Sequence, residues 1–407
     1  MRLIINHANC FDTDALTFTG ETTLVAEDGV IVSVGEGAAA GDGDVVVDAG
    51  GAFMLPGFID AHVHHRLTTL DFRRLAGWSE VEFGLAMGKI AAANLHRGFT
   101  TVRDLGGDVE GLIRAIRTGM TEGPRIVRAG RMLTQTGGHG DADGGERPVP
   151  TCACEMRHTA FGIVADGPDA VRKAARHNLR DGSDFLKIHV SGGVATPSDP
   201  LDSVQYTPAE IAAAVDEARH RRTYVAAHAY LPESITMAVE NGVYSVEHGN
   251  LMDAAAAAAI AAHGAVLVPT LAAYDGMREM GAALGFPKSN QEKNRLVLDA
   301  GLRSLELARA AGVTMGWGTD LVGESQVMQR REFAIRGQVE TAQQILASMY
   351  QVNPGLCHLE GTIGRLTPGA HADIVLVNVD PLADIAALAG DDAVTHVIQA
   401  GRVVRRP

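Results

Sequence analysis

Short runs of β-branched residues, broken by glycine and aspartate, open the chain. Leu3-Ile4-Ile5, Thr22-Thr23-Leu24-Val25-Ala26, Val30-Ile31-Val32-Ser33-Val34 and Asp44-Val45-Val46-Val47-Asp48 carry no helical period and have the composition of half-buried strands. The C-terminal end has the same texture in Ala372-Asp373-Ile374-Val375-Leu376-Val377, Val394-Thr395-His396-Val397-Ile398 and Arg402-Val403-Val404. Two β-rich ends flanking a different middle predict one small β-sandwich domain built from residues 1–55 and 362–407.

The middle alternates apolar runs with helical patterns. The runs are Phe58–His62, Thr100–Arg103, Arg125–Arg128, Phe185–Ile188, Tyr224–Ala227, Ser245–Glu247, Ala265–Val268 and Val313–Gly316. Among the helical stretches, the one from Pro208 to Ala218 is opened by Thr207 as N-cap, with Glu210 completing a capping box. Eight strands alternating with helices predict an α/β fold, a (β/α)8 TIM barrel over residues 56–361. In such a barrel the chemistry belongs to the C-terminal ends of the strands.

Composition narrows the partners. Of 407 residues, 46% are hydrophobic and 21% charged, which is globular and excludes a disordered or fibrous chain. Lys plus Arg number 35 against 49 Asp plus Glu, a net charge of −14. That surface repels phosphate backbones and anionic lipids, so a small-molecule partner is expected rather than nucleic acid or membrane. The N-terminus lacks a signal-peptide core, and the low-polarity stretch from Ala254 to Val268 is too short to span a bilayer. Four scattered cysteines fit a reducing compartment; the expectation is a cytoplasmic homo-oligomer. Cys152-Ala153-Cys154 has spacing able to hold a metal, but a lone C-x-C reads first as ordinary loop thiols.

Candidate chemistry gathers at the strand ends. His62 and His64 alternate, so on a strand both point to one face, and His65 faces the other way in a structural role. Lys187 closes the fourth strand, His228 the fifth, His248 the sixth and Asp320 follows the eighth. One metal site explains all these placements together. Imidazole and carboxylate suit Zn²⁺, Fe²⁺, Mn²⁺, Co²⁺ or Ni²⁺, and softness alone does not choose among them; Zn²⁺ is the ion expected. Lys187 as an ammonium repels cations; as a carbamate (N6-carboxylysine) it becomes an anion able to bridge two of them.

The order His62-x-His64, Lys187, His228, His248 and Gly318-Thr319-Asp320 resembles the amidohydrolase superfamily of binuclear metal hydrolases. Met54–His62 is similar to that family's first barrel strand, and Gly361–Asp373 to its return to the small β domain. Thr136-Gly137-Gly138-His139-Gly140, Lys187–Val194, Ala227–Tyr230 and Glu247–Asn250 resemble its prolidase-like branch. That branch cleaves Xaa-Pro and other dipeptides or N-acyl amino acids, and has relatives that hydrolyse xenobiotic amides such as ochratoxin.

The resemblance implies two divalent ions, one on His62, His64, Lys187 and Asp320, the other on carboxylated Lys187, His228 and His248. It implies attack on an amide by a metal-bridged hydroxide. Asp320 is then expected to move the proton to the leaving amine, Tyr230 to polarise the carbonyl, and His139 to contact substrate. An amide, carbamate or ester hydrolase for a xenobiotic is the alternative on the same site; a catalytically silent binding barrel is a third. Arg103-Asp104 is expected in an internal ion pair and Arg330-Arg331 on a solvated helix face. His7, His96, His177, His220 and His263 are expected to be structural.

Overall fold

The computed structural model describes residues 1–35, 37–71, 75, 77–141, 157–158 and 161–406. Cys152 and Cys154 lie outside the described residues. The N-terminal end forms β1 (Arg2–Asp12), β2 (Thr17–Glu27), β3 (Val30–Gly35), β4 (Val45–Asp48) and β5 (Phe53–Pro56). β1 pairs antiparallel with β2, and its other edge is shared by β4 and β5, both parallel to it.

The middle of the chain supplies two further sheets. β6 (Phe58–Val63), β7 (Phe99–Asp104) and β8 (Arg125–Arg128) form a parallel three-stranded sheet. The second runs β10 (Arg157–His158), β11 (Gly162–Val164), β9 (Met132–Thr134), β12 (Leu186–His189), β13 (Val225–Ala229), β14 (Ser245–His248), β15 (Val266–Val268) and β16 (Thr314–Met315), parallel except between β10 and β11. All eight predicted runs form strands. After the third, β8, the chain turns at Gly130 with φ +74° and adds β9, a strand beyond the expected run, to the second sheet. A Cβ at Gly130 would lie 2.3 Å from Ser183 Oγ, so the turn requires glycine. At the far edge, Ala61 donates its N–H to Trp317 O and Asp320 to His62 O, tying the segment after β16 to β6.

The C-terminal end returns as β17 (Ile374–Val377), β18 (Val394–Gln399) and β19 (Arg402–Arg405). β17 pairs antiparallel with β5, so both chain ends share one eight-stranded sheet. Strand periodicity explains how it packs. Ile374 and Leu376 meet Leu3, Ile5, Leu24 and Met54 on one face. Val375 and Val377 face the opposite way, onto Phe58, Phe99 and Trp317 of the middle segment.

Helices fill the connections, and the predicted capping box is present. Thr207 Oγ1 accepts from Glu210 N, while Glu210 Oε2 accepts the Thr207 N–H at 2.7 Å. Among the described residues, no helix is long and apolar enough to cross a membrane.

Candidate metal centre and substrate cleft

His62 and His64 leave β6 on the same side, their Nε2 atoms 3.3 Å apart. Asp320 Oδ1 lies 3.4 Å from the first and 3.3 Å from the second. His248 Nδ1 lies 3.9 Å from Asp320 Oδ2 and 2.8 Å from Thr270 Oγ1. His62, His248 and Asp320 are close enough to share one ion. His228 turns Nε2 to the Gly192 carbonyl at 3.1 Å, and its ring centroid sits 4.6 Å from that of His248. Lys187 is buried among these groups, and among the described residues its Nζ has no hydrogen-bond partner. All six line the floor of one cleft of about 830 Å³, counting its open mouth. The residues expected at the strand ends are therefore brought together.

The protonation states suit ligation. Burial lowers His62 to about 4, against the opposing pull of Asp320 and Glu247, and pushes His228 and His248 far below the usual imidazole range. These rings are neutral, with lone pairs to offer. Burial also lowers Lys187 to about 8, although Glu247 and Asp320 favour its charge. For Asp320, burial favours the acid, yet His62, His64 and Lys187 outweigh it and keep the carboxylate. Neutral imidazoles, a carboxylate and an orphaned amine with a weakened hold on its proton fit a divalent-metal site.

A buried shell orients these groups. Glu247 Oε2 lies 2.8 Å from His62 Nδ1, and Oε1 accepts from Arg103 at 2.8 Å and Ser245 at 2.5 Å. Arg103 is thus the expected internal ion pair. Asp104 pairs with His65 at 2.8 Å, so His65 is structural as expected. Asp60 accepts from His62 N, Thr319 N, Thr319 Oγ1 and Gln329 Nε2. It thereby joins β6 to the turn that presents Asp320, whose φ of +51° only a well-braced non-glycine residue holds.

Above the floor, Tyr230 and His139 both line the cleft. The Tyr230 hydroxyl lies 2.8 Å from that of Tyr274. His139 stacks on His228 with centroids 4.4 Å apart, and its Nδ1 lies 3.0 Å from Asp199 Oδ2. Gly193 lies directly beneath it: a Cβ there would meet the His139 ring at 2.1 Å. Leu67, Met132, Phe161, Val194, Met277 and Val322 make an apolar wall.

Sequence reasoning assigned no role to Glu247, His189, Asp60, Asp199 or Tyr274. The two-residue strand repeat that found His64 also reaches His189 from Lys187, and His189 lines the cleft. One expectation is corrected. Arg331 is partly exposed and pairs with Asp275 at 2.6 Å and Glu279 at 2.7 Å. Arg330 is 5% exposed and donates to Asp391 O, because its side chain turns inward at the start of the helix Arg331–Arg336. The pair is not a solvated face.

The chain is similar to several known hydrolases. Ochratoxinase from Aspergillus niger is 27% identical over 365 residues, 87% of this chain and 76% of that one. A prolidase structure with bound N-methylphosphonate-L-proline is 38% identical, with TM-score 0.94 and full coverage of both chains. A Xaa-Pro dipeptidase with methionine in its active site is 27% identical, with TM-score 0.87 and full coverage of both. A family model matches residues 53–404. The chain belongs to the amidohydrolase family and is a hydrolase acting on carbon–nitrogen bonds.

Proposed function

We propose that this protein is a binuclear metal hydrolase that cleaves the amide bond of N-acyl amino acids or Xaa-Pro dipeptides. The observation that carries this is the convergence of four histidines, Asp320 and an unpartnered buried Lys187 at one cleft floor. His62, His64, Lys187 and Asp320 would hold one ion, and His228, His248 and Lys187 the other. Lys187 would do so as a carbamate, formed when its neutral amine adds carbon dioxide and releases a proton. The ions, Zn²⁺ in the first instance, supply an acidified water and a polarised carbonyl when bound.

The chain's own groups do the rest. Tyr230 donates its phenol hydrogen to the carbonyl oxygen, where negative charge develops. Asp320 takes the proton of the attacking water and hands it to the leaving nitrogen, since an amine anion is a very poor leaving group. His139, held by Asp199, meets the substrate's carboxylate or carbonyl. The frame proposed for this site is a closed (β/α)8 barrel over residues 56–361, supported by the hydrogen bonds from β6 to Trp317 and Asp320. Residues 1–55 and 362–407 are proposed as its β-sandwich companion.

The apolar wall and the similarity to ochratoxinase favour a second reading, a xenobiotic amide or carbamate substrate on the same site. A panel of N-acyl-L-prolines, Xaa-Pro dipeptides, ochratoxin-type amides and carbamates separates the two. Turnover of the first two groups supports the proposal; turnover of the last two alone replaces its substrate and keeps its site. No turnover of any of them by metal-loaded protein rejects the proposal.

A further inference from the structure

Residues 190–200 leave β12 and form one side of the cleft through Val194, Ala195, Thr196 and Pro197. This stretch has no helix, and its one β contact is an isolated bridge at Ser191, so its backbone carbonyls must find donors elsewhere. Those of Gly193, Val194, Ala195, Thr196 and Asp199 find them on the helix Lys288–Ala310. The Lys293 ammonium donates to the carbonyls of Thr196 at 2.9 Å, Gly193 at 3.3 Å and Asp199. Nearly one turn earlier, Asn290 donates to Val194 O at 2.7 Å and Ala195 O at 2.8 Å. Carbonyls at three-residue intervals thus converge on one ammonium, three acceptors for its three hydrogens. A planar guanidinium does not offer that geometry.

The same stretch carries the brace of His139. Asp199 is fully buried and accepts from Gln205 Nε2 at 2.6 Å, Gly193 N at 2.8 Å and Ser203 Oγ at 3.2 Å, besides facing His139 Nδ1. Thr196 Oγ1 donates to His139 O at 2.5 Å. Lys293 itself does not line the cleft.

We propose that Lys293 is a positioning residue for substrate: by winding 193–199 around its ammonium it fixes the cleft wall at Val194 and, through Asp199, the ring of His139. The substrate half of this proposal rests on the hydrolase function argued above; the positioning half does not.

The test uses full-length, metal-loaded Lys293→Met, compared with wild type by amide hydrogen exchange and steady-state kinetics. Exchange in 190–200 and 136–141 should quicken at least about 10-fold, while 58–65 and 245–250 and the metal content stay at wild-type values. KM for an N-acyl-L-proline should rise about 10-fold with kcat within about 3-fold. Lys293→Gln, which keeps two N–H donors, should fall between the two proteins and stands in if Lys293→Met is not recovered folded. Unchanged exchange in both segments of a folded variant overturns the proposal, and so does a fall in kcat with KM unmoved. Exchange needs no substrate, so wild type inert toward N-acyl amino acids counts against the function alone.

Discussion

Lys187 holds a buried amine that no hydrogen bond from the described residues satisfies, in a site otherwise built of imidazoles and a carboxylate. Leaving an amine so costs stability unless a further group completes it. Lys187→Ala should therefore lose both metal and activity, and short carboxylic acids in the buffer should restore part of each by supplying the missing bridge. An active Lys187→Ala protein with normal metal content refutes the carbamate. Asp320→Asn should lower kcat/KM for an N-acyl-L-proline by at least about 10²-fold, with less metal loss than His62→Ala. Glu247→Gln leaves Arg103 buried without its counter-ion, so unfolding free energy should drop by about 3–5 kcal/mol in denaturant titration. At this scale the sequence made His62 and His64 legible through strand alternation. Glu247 was not, because its partner Arg103 comes from a strand far off in sequence, and only the fold joins them.

At the scale of elements, strands were more legible than the turns that aim their ends. His248 and Asp320 both sit in left-handed backbone, φ +75° and +51°, which no periodicity announces. The helix Leu271–Met280, which carries Met277 to the cleft and Tyr274 to the Tyr230 hydroxyl, is braced from another element. Glu332 is fully buried and accepts the Ala272 N–H at 2.6 Å at that helix's first turn. Burial pushes its carboxyl up to about 8, against the opposing effects of Arg336 and the amides of Ala272 and Leu271. The folded protein therefore keeps a proton there that the unfolded chain releases near the ordinary value of 4.5. Stability from this group is present below that pH and is lost as pH rises toward about 8. Glu332→Gln keeps the carbonyl for Ala272, so urea midpoints measured across this range should fall less steeply for it than for wild type. Parallel slopes would show that Glu332 is ionised in the fold. The helix Lys288–Ala310 went unread as a functional element, since its role lies in Lys293 and Asn290 gripping a distant loop.

Across the whole molecule, the β-rich ends and the alternating middle were both visible, and the shared sheet of the ends follows from β5 pairing with β17. Invisible was how the two faces of that sheet divide their duties, one closing its own core and the other seating the middle of the chain. That seating holds β6, the strand that carries His62 and leads into His64, against Phe99 and Trp317. In the proposed reaction, catalysis uses two ions on six converging side chains. Titrating metal-free protein with Zn²⁺, Mn²⁺ or Co²⁺ while following N-acyl-L-proline hydrolysis tests it most directly. Without metal there should be no activity, and the rate should climb until about two equivalents per chain are bound, because six ligand groups exceed one tetrahedral site. Full activity at one equivalent, or in the chelated protein, would contradict it.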